Sequence, residues 1–338
     1  MKIESFYSDY FLKFNVISTD SRKVVKDSIF ISLSGENFNG NRFASSALEN
    51  GAALAVVDDA DFFVDNGKYV LVDDSLTFLQ KLANYHRTHF NCPVLAITGT
   101  NGKTTTKELV AGALSLKFKT YYTQGNLNNQ IGVPLTLLSV NLNDAQFVVV
   151  EMGANHLTDI QELCDIAQPD YALVTSVGKA HLEGFGSIDA VVKTKTDLYR
   201  FVEKNHGICF VNADSELLMN NKPNSNFILY GTNRNDVYLT CWGMPDSNKV
   251  NVSFKWRYGT EAICNVSSSL YGQYNYLNML AAACVACFFG VDCFDVNDFL
   301  SKFNTNNNRS QIIEKENVTI ISDAYNANPS SMAAALEN

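Results

Sequence analysis

The stretch Ile97–Thr105 reads ITGTNGKTT and gathers two glycines, a lysine and several hydroxyl side chains within a short span. Gly99 and Gly102 would let the backbone curl closely round an anion, with successive N–H groups turned inward. Lys103 adds a point charge, and Thr104, followed by Thr105, brings a hydroxyl of the kind that holds Mg²⁺ beside transferring phosphates. The longer Gly-x-x-x-x-Gly-Lys-Thr pattern would place its first glycine where Ile97 stands. The stretch is therefore either a shorter phosphate loop or a tight turn with an exposed lysine.

Four other places carry groups able to do chemistry. Glu151 ends the apolar run FVVV, where a carboxylate is either a second anchor for Mg²⁺ or a solvated strand end. His181 opens AHLEGFGS just after the apolar run YALVTSVG, so it too falls at a strand end, as a functional or a structural histidine. Lys193 and Lys195 lie two apart in VVKTKTDL and must face different sides of a helix, although lysines in such a place are ordinarily solvated. The string GNLNNQIGVP (125–134) sets Asn126, Asn128 and Asn129 between glycines and ends on a proline suited to a helix start. Its side chains offer amide donors and acceptors to a polar ligand, and no charge.

These groups need a scaffold that brings strand ends together. PVLAIT is an unbroken apolar run, as befits a strand buried on both faces, and KTTTKELVAGALSLKF after it has a helical period. Further strands are predicted at 147–153 and 171–178 and in ICFVNAD and NFILYG, with helices near 157–167 and 187–203 between them. That alternation specifies a doubly wound, mostly parallel sheet. Residues 236–271 change to alternating strands, an antiparallel appendage, before helices at 275–289 and 295–303. Residues 1–85 form a small separate α/β unit with helices at 41–50 and from Ser75. Residues 86–305 form the central domain, and 306–338 begin a third α/β domain with strand VTIISD and loop AYNANPSS. One strand and two helical turns cannot make a domain, so a truncated third domain is expected.

Composition narrows the function classes. The 338 residues carry a formal net charge of −9 with no basic tract, which argues against nucleic acid as the main partner. The N-terminus lacks a signal-like apolar core, and the run Met279–Val291 is too short for a bilayer, so no membrane span is expected. The eight cysteines are scattered. Cys284-x-x-Cys287 has no second ligand pair at a zinc spacing and is expected to face a packed core in a reduced, cytoplasmic compartment.

Taken in order, GTNGKTT, GNLNNQIGVP, EMGANH, AHLEGFGS, the lysine of KTKTDLY, GQYNYLN, the arginine of NNNRSQ and DAYNANPSSM resemble the Mur ligases of peptidoglycan synthesis. The resemblance is closest to the branch that adds D-alanyl-D-alanine to UDP-N-acetylmuramoyl-tripeptide, and it runs from about Ser18 to the last residue. GTNGKTT is shared with folylpolyglutamate synthases, whereas GNLNNQIGVP, AHLEGFGS and DAYNAN are particular to the branch.

The resemblance implies a monomeric ATP-dependent ligase. Gly99–Thr105 would hold the ATP phosphates with Lys103 on the transferred group. Thr104 and Glu151 would bind one Mg²⁺, and His181 a second. Lys195 would be carbamylated, its added carboxylate joining the second metal. Asn275, Asn278, Arg309 and Asp323 would meet the nucleotide. Ser21, Arg22, Gly35 and Asn37, near Glu36, would meet the uridine diphosphate part of the substrate. The family's third domain is only begun here, so this chain alone is expected to fold without ligating. The rival readings are a sister ligase adding a single amino acid and a nucleotide-binding module without ligase activity. A guanine-reading Asn-Lys-x-Asp is absent from the sequence.

Overall fold

The fold is described from a computed structural model, which covers all residues except 179–184, 233–237, 247–250, 306–310, 316–317, 323–331, 334–335 and 337–338. The chain divides into two compact units. The first contains Met1–Asn91, Leu127–Ala145 and Asp165–Gln168; the second contains Cys92–Asn126, Gln146–Cys164 and Pro169–Asn338. Leu127–Ala145, which the sequence reading placed in the central domain, thus groups with the N-terminal residues.

In the first unit, strands β1 (Ile17–Ser18), β2 (Ile29–Ile31), β3 (Leu54–Val57) and β4 (Tyr69–Leu71) form a parallel sheet in chain order. Parallel neighbours need a crossover, supplied between β2 and β3 by helix α1 (Ala44–Glu49). The expected helix over 41–50 is shorter, because Gly40–Phe43 is a 3₁₀ turn instead. Phe30, Ala44, Ala47, Ala55 and Val57 make one small core. A second is aromatic: Phe6, Tyr7 and Phe11 pack on helix α2 (Ser75–Arg87). There the Tyr7 hydroxyl bonds His86 Nδ1 at 2.8 Å, while His86 Nε2 meets the Val140 carbonyl at 3.0 Å. A carbonyl only accepts, so Nε2 carries the proton and Tyr7 donates to Nδ1.

The second unit is built on β5 (Val94–Thr98), α3 (Lys103–Leu114), β6 (Thr120–Tyr122), β7 (Phe147–Glu151), α4 (Asp159–Ala167, of which Asp165–Ala167 group with the first unit), β8 (Tyr171–Val174) and α5 (Ile188–Lys204). It continues through β9 (Ile208–Asn212), β10 (Phe227–Gly231), β11 (Leu239–Pro245), β12 (Asn251–Tyr258), β13 (Cys264–Tyr271), α6 (Tyr276–Phe288) and α7 (Cys293–Lys302). The strands form one nine-stranded sheet in the order β13-β12-β11-β10-β9-β8-β5-β7-β6. Every pairing from β6 to β11 is parallel, and the two involving β12 are antiparallel. The expected antiparallel residues therefore extend the central sheet.

Leu95 and Ile97 face a core with α3 and α6, while Val94 and Ala96, also buried, point to the opposite face. This double burial explains why the strands read as continuous apolar runs. Helix α6 is buried nearly all round, Cys284 and Cys287 included, which is why its sequence lacks an amphipathic pattern. Beyond α7, β14 (Gln311–Lys315) and β15 (Val318–Ser322) pair as an antiparallel hairpin. Only β15 is legible as a strand in the sequence.

Candidate active site

Strand β5 lies at the point where the chain order of the sheet reverses, with β7 on one side and β8 on the other. Ligands of open α/β sheets bind at the carboxyl ends of strands at such a switch point. Register puts the right groups there: Ile97 pairs with Glu151, and Thr98 with Val174. The loop Gly99–Gly102 leaves β5 between the end of β7 and the end of β8, then enters α3 at Lys103. The helix N-terminus adds its partial positive charge to the loop's N–H groups.

The loop is fastened to the end of β8. The Thr175 hydroxyl donates to the Asn101 carbonyl at 2.6 Å, and Asn101 N–H donates to Ser176 Oγ at 3.0 Å. Thr100 N–H reaches the Ser176 carbonyl at 2.8 Å, and Gly178 N–H reaches Thr100 Oγ1 at 3.1 Å. Sequence reasoning missed Thr175 and Ser176; their signal was a pair of hydroxyls ending an apolar strand. They also explain Gly99, whose φ is +150°: a Cβ there would overlap Thr175 Oγ1. Gly102, at φ +81°, would bring a Cβ within 2.6 Å of Asn278 Oδ1.

Lys103 folds its ammonium over the loop, donating to the Gly99 and Thr100 carbonyls at 2.9 and 3.2 Å. One residue on, the buried Thr104 hydroxyl donates to Glu151 Oε1 at 3.1 Å. A hydroxyl and a carboxylate converging beside a phosphate loop form an oxygen donor set that suits a hard cation such as Mg²⁺. Among the described residues no group of three or more His, Cys, Asp or Glu could hold a metal by itself. Further ligands would then have to come from phosphate and water, as Mg²⁺ prefers.

Lys193 is exposed and Lys195 is 3% exposed, on opposite sides of α5. Lys195 donates to the Ala154 carbonyl at 3.4 Å and lies 5.8 Å from the centre of the Phe185 ring. Burial, reinforced by the nearby charge of Lys103 and partly opposed by Asp159, pulls its amine down to about 7. Asn275 and Asn278 sit at the start of α6. Asn278 donates to Asn275 Oδ1 at 2.9 Å and accepts from Thr106 at 3.1 Å, which sets both amides beside the first turn of α3. His181, Arg309 and Asp323 lie outside the described residues.

The expected substrate residues are not all alike. Gly35 and Asn37 line an open concavity of about 720 Å³ in the first unit, with Glu36, Asn41, Arg42 and Asp58. Ser21 and Arg22 are not among its lining residues; the exposed Arg22 guanidinium forks onto Asp20 at 2.9 and 3.0 Å. Asn129 Oδ1 caps the short helix Gly132–Leu138, accepting from Ile131 and Gly132 N–H at 3.2 and 2.9 Å. Asn126 is exposed and Asn128 half-buried. Sequence reasoning also passed over Lys107, which is fully buried behind the loop.

Comparison with known proteins bears on this geometry. Residues 97–286 match the Mur ligase middle domain, and residues 13–87 match the Mur ligase family catalytic domain. The chain is 31% identical over 323 residues to the UDP-N-acetylmuramoyl-tripeptide–D-alanyl-D-alanine ligase of Bacillus subtilis (strain 168), covering 95% of this chain and 69% of that protein. The MurF crystal structure from Acinetobacter baumannii superposes with a TM-score of 0.83 at 29% identity, over 96% of this chain and 70% of the other. The MurF ligase of Thermotoga maritima in complex with ADP gives 0.81 at 29% identity, over 96% and 74%. With a matching middle domain over more than half its length and a 31%-identical relative aligned along nearly all of it, the chain belongs to the Mur ligase family.

Proposed function

We propose that this chain serves an ATP-dependent ligase that joins D-alanyl-D-alanine to UDP-N-acetylmuramoyl-tripeptide, a cytoplasmic step of peptidoglycan synthesis carried out by a monomer. The observation that carries the reading is the phosphate loop at the switch point, with its Thr104 hydroxyl bonded to the strand-end carboxylate of Glu151. The names of the relatives supply the substrate class.

In this reading Gly99–Thr105 cradle the ATP phosphates and Lys103 lies against the transferred phosphoryl group. The tripeptide's terminal carboxylate attacks the γ-phosphorus and ADP leaves, which produces an acyl phosphate. The amine of D-alanyl-D-alanine then attacks the acyl carbon, phosphate departs with the C–O bond electrons, and the nitrogen sheds a proton. Positioning and charge neutralisation carry most of such a reaction, so no nucleophilic side chain is required. Mg²⁺ held by Thr104 and Glu151 would neutralise charge on the phosphates. Lys195, whose amine is drawn to about 7, has a large neutral fraction near neutral pH. A neutral amine adds to CO₂ with loss of a proton, so carbamylation would turn a buried cation into an oxygen ligand. His181 completes a second metal position in this reading, and Asn275, Asn278, Arg309 and Asp323 the nucleotide side. Ser21, Arg22, Gly35 and Asn37 receive the uridine diphosphate part, and Asn126, Asn128 and Asn129 the polar remainder of the substrate.

Calorimetric titration with ATP and Mg²⁺ tests the core of the reading. Binding should depend on Mg²⁺ and be lost in Lys103→Ala, and in a protein that carries the family's third domain phosphate release should require D-alanyl-D-alanine together with the tripeptide. Phosphate release driven equally by lysine, diaminopimelate or glutamate would replace the assigned amine substrate. Absence of Mg²⁺-dependent nucleotide binding would refute the reading altogether.

A further inference from the structure

Lys107 lies one helical turn beyond Thr104 on the same face of α3 and is 1% exposed. Its ammonium donates to the Thr123 carbonyl at 2.7 Å and to the Gly125 carbonyl at 3.4 Å. The ring of Tyr122 lies 5.5 Å away and Glu108 Oε1 3.7 Å away. Thr123 follows β6 directly, and its hydroxyl accepts from the Glu151 N–H at 2.9 Å. Glu151 Oε1 in turn accepts from Thr104 at 3.1 Å. These bonds close a ring that runs from Lys107 to Thr123, to Glu151, to Thr104, and back along α3.

We infer that Lys107 is a positioning residue, which holds the Thr104 hydroxyl against the Glu151 carboxylate by clamping α3 to the end of β6. A buried ammonium is a costly way to pack a helix on a sheet, since an apolar side chain of similar volume fills the space without desolvating a charge. What the ammonium supplies is direction. It ties a fixed point of α3 to a fixed carbonyl, and Thr123 passes that constraint on to the backbone of Glu151. The phosphate loop itself is fastened elsewhere, by Thr175 and Ser176 at the end of β8. Loss of the clamp should therefore disturb the Thr104–Glu151 pair and leave the loop in place.

This inference rests on the proposed nucleotide function only for its ligand readout, so two measurements are needed. In ligand-free protein, amide hydrogen exchange at Glu151 should accelerate at least tenfold in Lys107→Met, while the amides of Thr100 and Asn101 change less than threefold. In calorimetric titration with a non-hydrolysable ATP analogue, affinity in EDTA should stay within threefold of the parent, and the gain on adding Mg²⁺ should fall at least tenfold. Thr123→Val, which removes the acceptor for Glu151 N–H and leaves the Lys107 bonds intact, should reproduce both effects. The double variant should be no worse than either single one, because both cut the same ring. If Lys107→Met does not fold, Thr123→Val decides alone. Unchanged exchange at Glu151, or equal loss of affinity with and without Mg²⁺, overturns the inference. A parent protein with no Mg²⁺ gain refutes the proposed function, and the exchange measurement still judges the ring.

Discussion

Replacing Gly99 by alanine tests how the phosphate loop is held. A Cβ at this position overlaps the Thr175 hydroxyl and crowds Ser176 N and O at 3.0 and 3.1 Å. The flexible partner is Thr175, so its side chain must rotate and release the Asn101 carbonyl, to which it is bonded at 2.6 Å. The carbonyl then keeps only its 3.1 Å bond from Ser176 Oγ, and loss of the Thr175 bond costs about 0.5–1.5 kcal/mol. Holding alanine at φ +150° adds about 1–3 kcal/mol of backbone strain. The expected loss is about 1.5–4.5 kcal/mol, a large share of the ~5–15 kcal/mol typical of a domain. Both tryptophans, Trp242 and Trp256, are buried in this unit, so urea unfolding followed by tryptophan fluorescence reports on it directly. Thr175→Ala removes the overlapped oxygen, so Gly99→Ala should cost about 1 kcal/mol less on that background than on the parent. Costs that add within ~0.5 kcal/mol, or a Gly99→Ala variant as stable as the parent, would refute the argument that Thr175 dictates the glycine.

Three further outcomes are expected. Burial holds the His86 imidazole below its ordinary 6.5, with a smaller contribution from His89 in the same direction and the Val140 bond opposing. The unfolded chain therefore takes up the proton first, so this stability is complete above pH 6.5 and is lost as pH falls through the folded value. The protection of the Ser75–Arg87 amides, taken relative to their intrinsic exchange rates at each pH, should fall below pH 6.5, and His86→Gln should flatten that dependence. Trp256→Phe removes a fully buried indole and its 3.1 Å bond to Asn297, and should destabilise the second unit by about 1–3 kcal/mol in urea unfolding. Cys287 Sγ lies 3.3 Å from Cys293 Sγ, so diamide should join this pair and leave Cys284 free by peptide mass mapping. Burial raises both thiols, so the rate should still be climbing above pH 9, and a Cys284–Cys287 disulfide would contradict the geometry.

The sequence by itself determined the periodic parts of the molecule. Buried parallel strands such as Val94–Thr98 and Phe147–Glu151 read as apolar runs because helices cover both faces of the sheet. Helices α3 and α5 read from their period, and the phosphate loop from its glycines and lysine, because such a loop needs little beyond its own backbone. Lys193 and Lys195 were separable in the same way, since two residues along a helix reach opposite sides. Tertiary structure alone decided the rest. Burial of Lys195 and the descent of its amine to about 7 depend on Ala154, Phe185 and Lys103, which come from other segments. Thr123 and Lys107 carry no pattern that marks them, and Thr175 and Ser176 only a hydroxyl pair at a strand end, because their roles are hydrogen bonds to residues 16 to 77 positions away. Local spacing encodes what a segment does with its own backbone; which distant carbonyl a buried side chain meets is set only by the register of the strands between them.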